Sequence, residues 1–294
     1  MRREFTLTHV VRGYDECNCF GLLTPAAFLR LLQDISAHDI LLDTKLEYDG
    51  SLVIRRSIVN FKAPVKKFTR LELKTFGTGF GRVSSQRGYE VRLAGQPSAE
   101  PIISARTTFV YLGLHGRPQR VPEKMVEIWR PDVPEPSQAE MPMPAFPESE
   151  PATFTFHVGF SDIDLEMHMN NAAIVEKLDN AAWDVYAAEG VTLATARMDA
   201  LTYDIEYMAS PRLGDRLEIH TWFSPAPAPG QEFGRFQQIT RAGKVMARAH
   251  SRWLWKAEKR SGVEILNREE IDTRSNDPRE AQRDESKQVL VAVR

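Results

Sequence analysis

The chain repeats itself. Aligned at an offset of 147 residues, YDECNCFGLLTPAAFLRLLQDISAHD, from Tyr14, runs beside SDIDLEMHMNNAAIVEKLDNAAWDVY, from Ser161, so that Asp15 falls on Asp162 and Pro25 on Ala172. RLELKTF (70–76) then matches RLEIHTW (216–222), and ISARTTFVYL (103–112) matches MARAHSRWLW (246–255), with order kept and the offset drifting by a few residues. Whatever the first half folds into, the second half should fold into as well.

Each half reads as a short strand, a loop, one amphipathic helix and a run of strands. In the second half NAAIVEKLDNAAWDV sets apolar side chains at 174, 178, 181, 182 and 185, one face of a helix, and Asn170 and Asn171 can cap its start. LVIRRSIVNF, RLELKTF, SSQRGYEVRL and ISARTTFVYL carry the β-branched and aromatic content of strands, as do ALTYDIEYM, RLEIHTWF, EFGRFQQITR and KVMARAHSRWLW later on. A single helix beside antiparallel strands must bury its apolar stripe against one sheet face, because neither element can hide that side alone. The fold class is therefore α+β, one unit duplicated. The halves are expected to join their sheets side by side, with both helices on one face.

The 294 residues, 42% hydrophobic and 27% charged, suit a globular protein of two domains or one large one. A net charge of −2 offers no basic field for nucleic acid, and the longest apolar runs fall short of the roughly 20 residues that span a bilayer. MRREFTLTHVVRGY has no long apolar region and does not read as a signal peptide, so a cytoplasmic location is expected. Cys17 and Cys19 are too close for an unstrained disulfide and have no second pair to complete a metal site, which leaves free thiols. The proline-rich, acidic stretch 130–152 reads as a surface linker, and the charged segment beyond about residue 266 as a mobile tail.

The chemistry concentrates in SDIDLEMHMNN, residues 161–171. Asp162, Asp164, Glu166 and His168 alternate along an extended segment and would repel one another unless something uses them. They end at a helix N-terminus, where unpaired N–H groups and the helix dipole favour negative charge. A calcium loop would need glycine at its sixth position and glutamate at its twelfth, and these are Met167 and Ala173, so no metal is expected. GTGFG (77–81) has Arg82 where a dinucleotide-binding loop needs its third glycine and lies between strands, so it reads as a glycine-rich hairpin and no nucleotide cofactor is implied. No G-x-S-x-G elbow occurs.

With the unit duplicated and this run heading the second helix, the chain resembles the acyl-acyl-carrier-protein thioesterases, a family of two fused hotdog domains. The family's Asp-x-Asp-x-Asn-x-His-Val-Asn-Asn signature is matched at Asp162, Asp164, His168, Asn170 and Asn171. The resemblance runs over about residues 3–266 and includes VIRRSIVNFKAPV, HGRPQRVP and IEYMASPRLGDRLEI. It implies an N-terminal hotdog over 1–129, the linker 130–152, a C-terminal hotdog over 153–266 and a tail over 267–294. The two hotdogs would form a pseudo-dimer.

The resemblance also implies roles. Asp164, His168 and Glu206 would be catalytic, with Glu206 activating or positioning water. The helix start at Asn170 and Asn171 would hold the oxyanion, and Asp162 and Glu166 would support. Hydrolysis of a thioester needs those two functions, a base for water and donors for the developing oxyanion. Two positions depart from the pattern: Glu166 stands where the family has asparagine, and Ile174 where it has an aromatic residue. An ionised carboxylate cannot donate the hydrogen bonds that an amide donates.

Opposite Asp164, Glu166 and His168 the 147-residue offset sets Cys17, Cys19 and Gly21, with Leu23 opposite Asn170. Only the second half keeps the polar set, which suggests that the first supplies the acyl pocket. The implied substrate is a fatty acyl thioester of acyl carrier protein. An acyl-CoA substrate, a double hotdog that binds acyl thioesters without hydrolysing them, and a hydratase are the alternatives, and self-association into a homodimer is left open. Arg55, Arg56, Lys66, Lys67 and Arg70 are the nearest approach to a basic docking cluster for an acidic carrier.

Overall fold

The computed structural model describes residues 3–96, 98–130 and 142–257. In chain order the elements are β1 (Glu4–Val10), α1 (Pro25–Ala37), a π-helical continuation His38–Asp43, β2 (Ser51–Phe61), β3 (Arg70–Phe80), β4 (Ser84–Leu93), β5 (Ile103–Leu112) and α2 (Glu123–Trp129). There follow β6 (Ala152–His157), a 3-10 turn Phe160–Asp162, α3 (Asn171–Ala188), β7 (Ala196–Tyr207), β8 (Arg216–Phe223), β9 (Glu232–Arg241) and β10 (Lys244–Ala257). No described helix is long and apolar enough to cross a membrane.

The ten described strands form one antiparallel sheet in the order β1-β3-β4-β5-β2-β7-β10-β9-β8-β6. Outward from β2 and β7 the order is the same on both sides. At that seam β2 and β7 pair from Arg56↔Glu206 to Asn60↔Thr202. The fold is hotdog-like, a large antiparallel sheet with few helices.

Local chemistry starts both long helices. Thr24 caps α1 by accepting a hydrogen bond from the Ala27 amide at 3.1 Å, and Pro25 stands at the first helical position, where a missing N–H costs nothing. Asn170 caps α3 by accepting from the Ala172 amide at 2.8 Å. The helices pack against each other and so share one sheet face. Between helices and sheet lies the main core, where Phe28, Leu32 and Ile35 of α1 and Ile174, Leu178 and Ala182 of α3 meet Val59, Leu73, Val91, Tyr203, Ile205 and Ile239. Full burial of such a side chain contributes about 1.5–3 kcal/mol.

Alternation along the strands sets two faces. Tyr203, Ile205 and Tyr207 of β7 enter the core, so Asp204 and Glu206 stand on the other face. There Phe146, from the described end of the 130–152 stretch, lies edge-on to Trp222 and Phe236, each at 5.5 Å. Residues 131–141 of that stretch, the end of the second repeat beyond Ala257 and the 267–294 tail all lie outside the described residues.

The short α2 was not legible in the sequence. It seats Met125 and Trp129 with Ile40, Leu46, Tyr111 and Val121 in a second, smaller cluster. The Trp129 indole donates to Asp39 at 2.7 Å. Gly77 passes so near the Trp129 carbonyl that a Cβ there would collide with it. GTGFG is thus the end of β3 entering a hairpin with β4, and its glycine makes room for the chain above.

Candidate active site

Residues 162–170 form a closed loop at the head of α3. The Asp164 amide donates to His168 O at 3.0 Å and the Met167 amide to Asp164 O at 3.0 Å, while Asn170 N bonds Asp162 O at 2.8 Å and Met169 N bonds Pro211 O at 2.8 Å. The turn needs a left-handed residue, and Met167 takes it at φ 60°.

Inside this frame Asp164 collects its neighbours. Its Oδ1 accepts from the Glu166 amide at 3.0 Å and its Oδ2 from the Asn170 side-chain amide at 3.2 Å. His168 Nδ1 lies 3.6 Å from Asp164 Oδ1 and 3.4 Å from Met169 O. The two side chains are 21% and 23% exposed, which leaves both reachable from solvent. Asn170 Nδ2 also donates to Gln33 Oε1 of α1 at 3.2 Å, so the loop of one half is tied to the helix of the other. Gln33 carries no signal in the sequence, because its contact spans 137 residues and depends on how the helices meet.

The remaining candidates separate. Asp162 is buried, accepting from the Gly159 amide at 2.9 Å and lying 3.1 Å from Lys177 Nζ, contacts that anchor the loop. Glu166 is exposed and reaches Asp164 only through its own backbone N–H. Asn171 is the first residue of α3, and its carbonyl accepts from Tyr207 Oη at 3.2 Å. Burial pushes the Tyr207 phenol far up, so it is a donor throughout the physiological range. Glu206, expected to act on water, stands on the sheet face away from the helices, where it accepts from Arg248 Nε at 2.7 Å and lies 3.5 Å from Arg56. No hydrogen bond or ion pair joins it to Asp164 or His168. The alternation of β7 that buries Tyr207 is what turns Glu206 away.

The first-half loop has the same backbone frame, but at an offset of 146 rather than 147. Asn18 N bonds Leu22 O, Gly21 N bonds Asn18 O, Thr24 N bonds Glu16 O and Leu23 N bonds Val65 O, the counterparts of the four bonds above. Gly21 takes the left-handed position at φ 69°. The Phe20 amide donates to Asn18 Oδ1 at 3.0 Å as that of Glu166 does to Asp164. Opposite Asp164, Glu166 and His168 therefore stand Asn18, Phe20 and Leu22, not Cys17, Cys19 and Gly21. One residue of drift was invisible in the sequence because neither register matches side chains well. Both cysteines are free, and burial pushes the Cys17 thiol up.

The basic cluster also comes apart. Arg56 is buried and bidentate on Asp204 at 2.8 and 2.6 Å, and Arg55 donates to Tyr207 O at 2.8 Å. Lys66 bridges to Leu22 and Lys67 N bonds Gly21 O, so both lie beside the first-half loop rather than the one bearing Asp164 and His168. Beside Asn171, the cleft between Leu29, Leu32, Ile54, Phe109 and Tyr207 holds about 10 Å³, and closes over the end of the first half's core.

Residues 147–255 match the model of the acyl-ACP thioesterase C-terminal domain. No curated protein matches the chain. Among solved structures, a 12:0-ACP thioesterase from Umbellularia californica superposes with a TM-score of 0.70 at 15% identity, over 86% of this chain and 94% of that one. A putative oleoyl thioesterase from Lactobacillus plantarum gives 0.69 at 15% identity, over 86% and 96%. An acyl-ACP thioesterase from Bacteroides thetaiotaomicron gives 0.64 at 18%, over 85% and 97%. At these identities the superpositions establish the fold, and it is the match over 147–255, where the Asp164–His168 loop heads its helix, that likens the second half to the acyl-ACP thioesterase C-terminal domain and marks the chain as a thioester hydrolase.

Proposed function

We propose that the chain hydrolyses fatty acyl groups from acyl carrier protein, as a pseudo-dimer of two tandem hotdogs, 1–129 and 153–266, joined by the stretch 130–152. The mirrored strand order about the β2–β7 seam and the common backbone frame of the two loops support the tandem reading. The single observation that carries the chemistry is Asp164 beside His168 Nδ1 at a helix start. Asp164, itself fixed by Asn170 and the Glu166 amide, orients the imidazole. His168 takes a proton from water as its oxygen attacks the thioester carbonyl carbon. The oxyanion is met by the amides of Asn171 and Ala173, which the Asn170 cap leaves unused. On collapse the C–S bond breaks, the carrier's thiolate takes the proton from His168, and a fatty acid and a thiol leave.

In this reading Asp162 anchors the loop, Glu166 acts through its backbone and Glu206 belongs to the seam. The acyl chain enters the cleft beside Gln33 as Leu29, Leu32 and Phe109 give way. The family match favours acyl carrier protein over coenzyme A as the carrier. Thiol release from acyl-carrier-protein and acyl-CoA substrates of several chain lengths tests the proposal. Faster turnover of the protein-borne substrate at matched concentration is expected, faster turnover of acyl-CoA would reverse the carrier, and no release from either would leave an acyl-thioester binder.

A further inference from the structure

A cavity of about 330 Å³ lies not at the Asp164–His168 loop but under the first-half loop, between it and α3. It occupies the counterpart of the Gln33 cleft. Arg87 and Arg235 pair with Thr107 and Ser251, which pair in turn with Ser57 and Tyr203. In that register Ile54 and Phe109 of the cleft answer to Ala200 and Trp253 of the cavity, and at the loop offset Gln33 and Tyr207 answer to Asp179 and Phe61. Ala200 where the other half has Ile54 is one reason the space stays open.

Its inner end is polar and unfinished. Arg235 and Tyr186 line it at 2% and 3% exposure, yet Arg235 Nε and Tyr186 Oη have no hydrogen-bond partner. Arg235 bonds Asp179 through Nη2 and stacks 4.2 Å from the Trp253 ring. A buried donor left without an acceptor costs about 1–3 kcal/mol, so an acceptor oxygen brought to this end of the cavity would be favoured, with a small shift of the two side chains to meet it. The cations are already taken up: Asp15 and Glu16 share Arg12, while Glu176 pairs with Arg30, Asp179 with Arg235 and Asp199 with Arg197, five carboxylates on four guanidiniums. A further anion would find no free cation there, while an uncharged acceptor would find two donors. Trp183, Trp253, Phe61 and Leu193 supply the apolar walls, and the volume lies at the lower end of the roughly 300–1,000 Å³ usual for ligand pockets.

We propose that this cavity is a second, non-hydrolytic binding site for an aliphatic molecule with an uncharged oxygen head, an acyl carbonyl or an alcohol, its oxygen on Arg235 Nε and Tyr186 Oη. The placement as a counterpart rests on the tandem reading above, whereas the cavity and its unpaired donors do not. Leu22 and Asn18 stand where His168 and Asp164 stand in the other loop, and Glu16 of the lining is held by His9, which does not itself line the cavity, so the ligand is held and not cleaved.

Trp183 and Trp253 line this cavity and no tryptophan lines the Gln33 cleft, which supplies the readout. 10-Bromodecan-1-ol should quench tryptophan fluorescence saturably at one site per chain. Ala200→Ile, which copies the residue of the other half, should weaken that binding at least tenfold, and Tyr186→Phe, which removes only the unpaired hydroxyl, about fivefold. Both variants should hydrolyse acyl thioester at the parent rate, and Tyr186→Phe should melt no lower than the parent. Absence of saturable quenching, or quenching unchanged in both variants, overturns the site. Tighter binding of 10-bromodecanoic acid than of the alcohol at pH 7 overturns the uncharged head. A chain that binds the alcohol but releases no thiol from any substrate refutes the proposed hydrolysis and leaves this site standing.

Discussion

Two side chains in one loop carry the proposed chemistry, and their separation of 3.6 Å makes them a unit. Asp164→Ala and His168→Ala should each lower kcat by about 10²-fold or more, and the double variant should be little worse than the worse single one, because residues acting together are strongly non-additive. Stopped-flow thiol release measures this, and full activity in both singles would remove the site. Glu166→Gln should retain most activity, since the contact with Asp164 is made by the backbone amide and survives the change. Glu206→Gln gives the contrast: it leaves one buried carboxylate fewer against Arg56 and Arg248, so it should lower the melting temperature while kcat per folded molecule holds. A kcat drop there as large as that of Asp164→Ala would return Glu206 to the chemistry. In SDIDLEMHMNN the helix cap was legible, and Asn170 forms it, while the proposed roles of Asp164 and His168 rested on the family resemblance. Glu206 was not legible in the same way, since a strand's parity decides which face a side chain takes and the sequence match fixed only its position along the strand.

At the scale of the element, the two loops are one backbone solution carrying different side chains. Both need a left-handed residue, and the first half uses Gly21 where the second uses Met167. A non-glycine residue there costs about 1–2 kcal/mol. Gly21→Ala should therefore destabilise by about 1 kcal/mol, with only ordinary contacts from Lys67 in the way of the new methyl, and Met167→Gly should stabilise by somewhat less than that because glycine gains freedom in the unfolded chain. Denaturant midpoints read both, and a loss in Met167→Gly would mean that the methionine's contacts outweigh its strain. Each loop also has one buried carboxylate as anchor, Glu16 in the first and Asp162 in the second. Burial alone would raise the Glu16 carboxyl, but hydrogen bonds from His9 and from the Arg12 amide outweigh it and hold the group below its ordinary 4.5. A depressed carboxyl binds fewer protons folded than unfolded. Its contribution is thus present above about pH 4.5 and is lost as pH falls through the lowered value. Glu16→Gln should cost stability at pH 7, and that deficit should shrink progressively below pH 4.5 in urea titrations. The strands and long helices were readable from period and caps. Helix α2 was not, because its seven residues are held by Trp129 reaching Asp39 and by the space over Gly77, contacts that only the folded sheet creates.

At the scale of the whole molecule the question is whether two repeats behave as one body. The sequence implied two like units but could not say how strongly they are joined, because the joint is made of pairs some 146 residues apart, such as Ser57↔Ile205 and Val59↔Tyr203. The seam is backbone-paired, and charge reinforces it from one side. Arg56, 3% exposed, grips Asp204 through two nitrogens and reaches Glu206 at 3.5 Å, both on the opposite repeat. On the helix side Arg30 meets Glu176 at 2.8 Å and Asn170 meets Gln33. The exposed Arg30–Glu176 pair contributes little, whereas removing Arg56 strands Asp204 in a poorly solvated place while Glu206 keeps Arg248, an effect of about 3–5 kcal/mol. Because that loss falls on both repeats at once, the parent should unfold in a single calorimetric transition with van't Hoff and calorimetric enthalpies equal. Arg56→Ala should lower that transition sharply without splitting it as long as the β2–β7 hydrogen bonds persist. If Arg56→Ala instead resolves two transitions, the ion network rather than the strand pairing joins the repeats. If the parent already shows two, each repeat holds its own core independently and the tie between Asn170 and Gln33, with the Asp164–His168 loop it steadies, opens with the first of them.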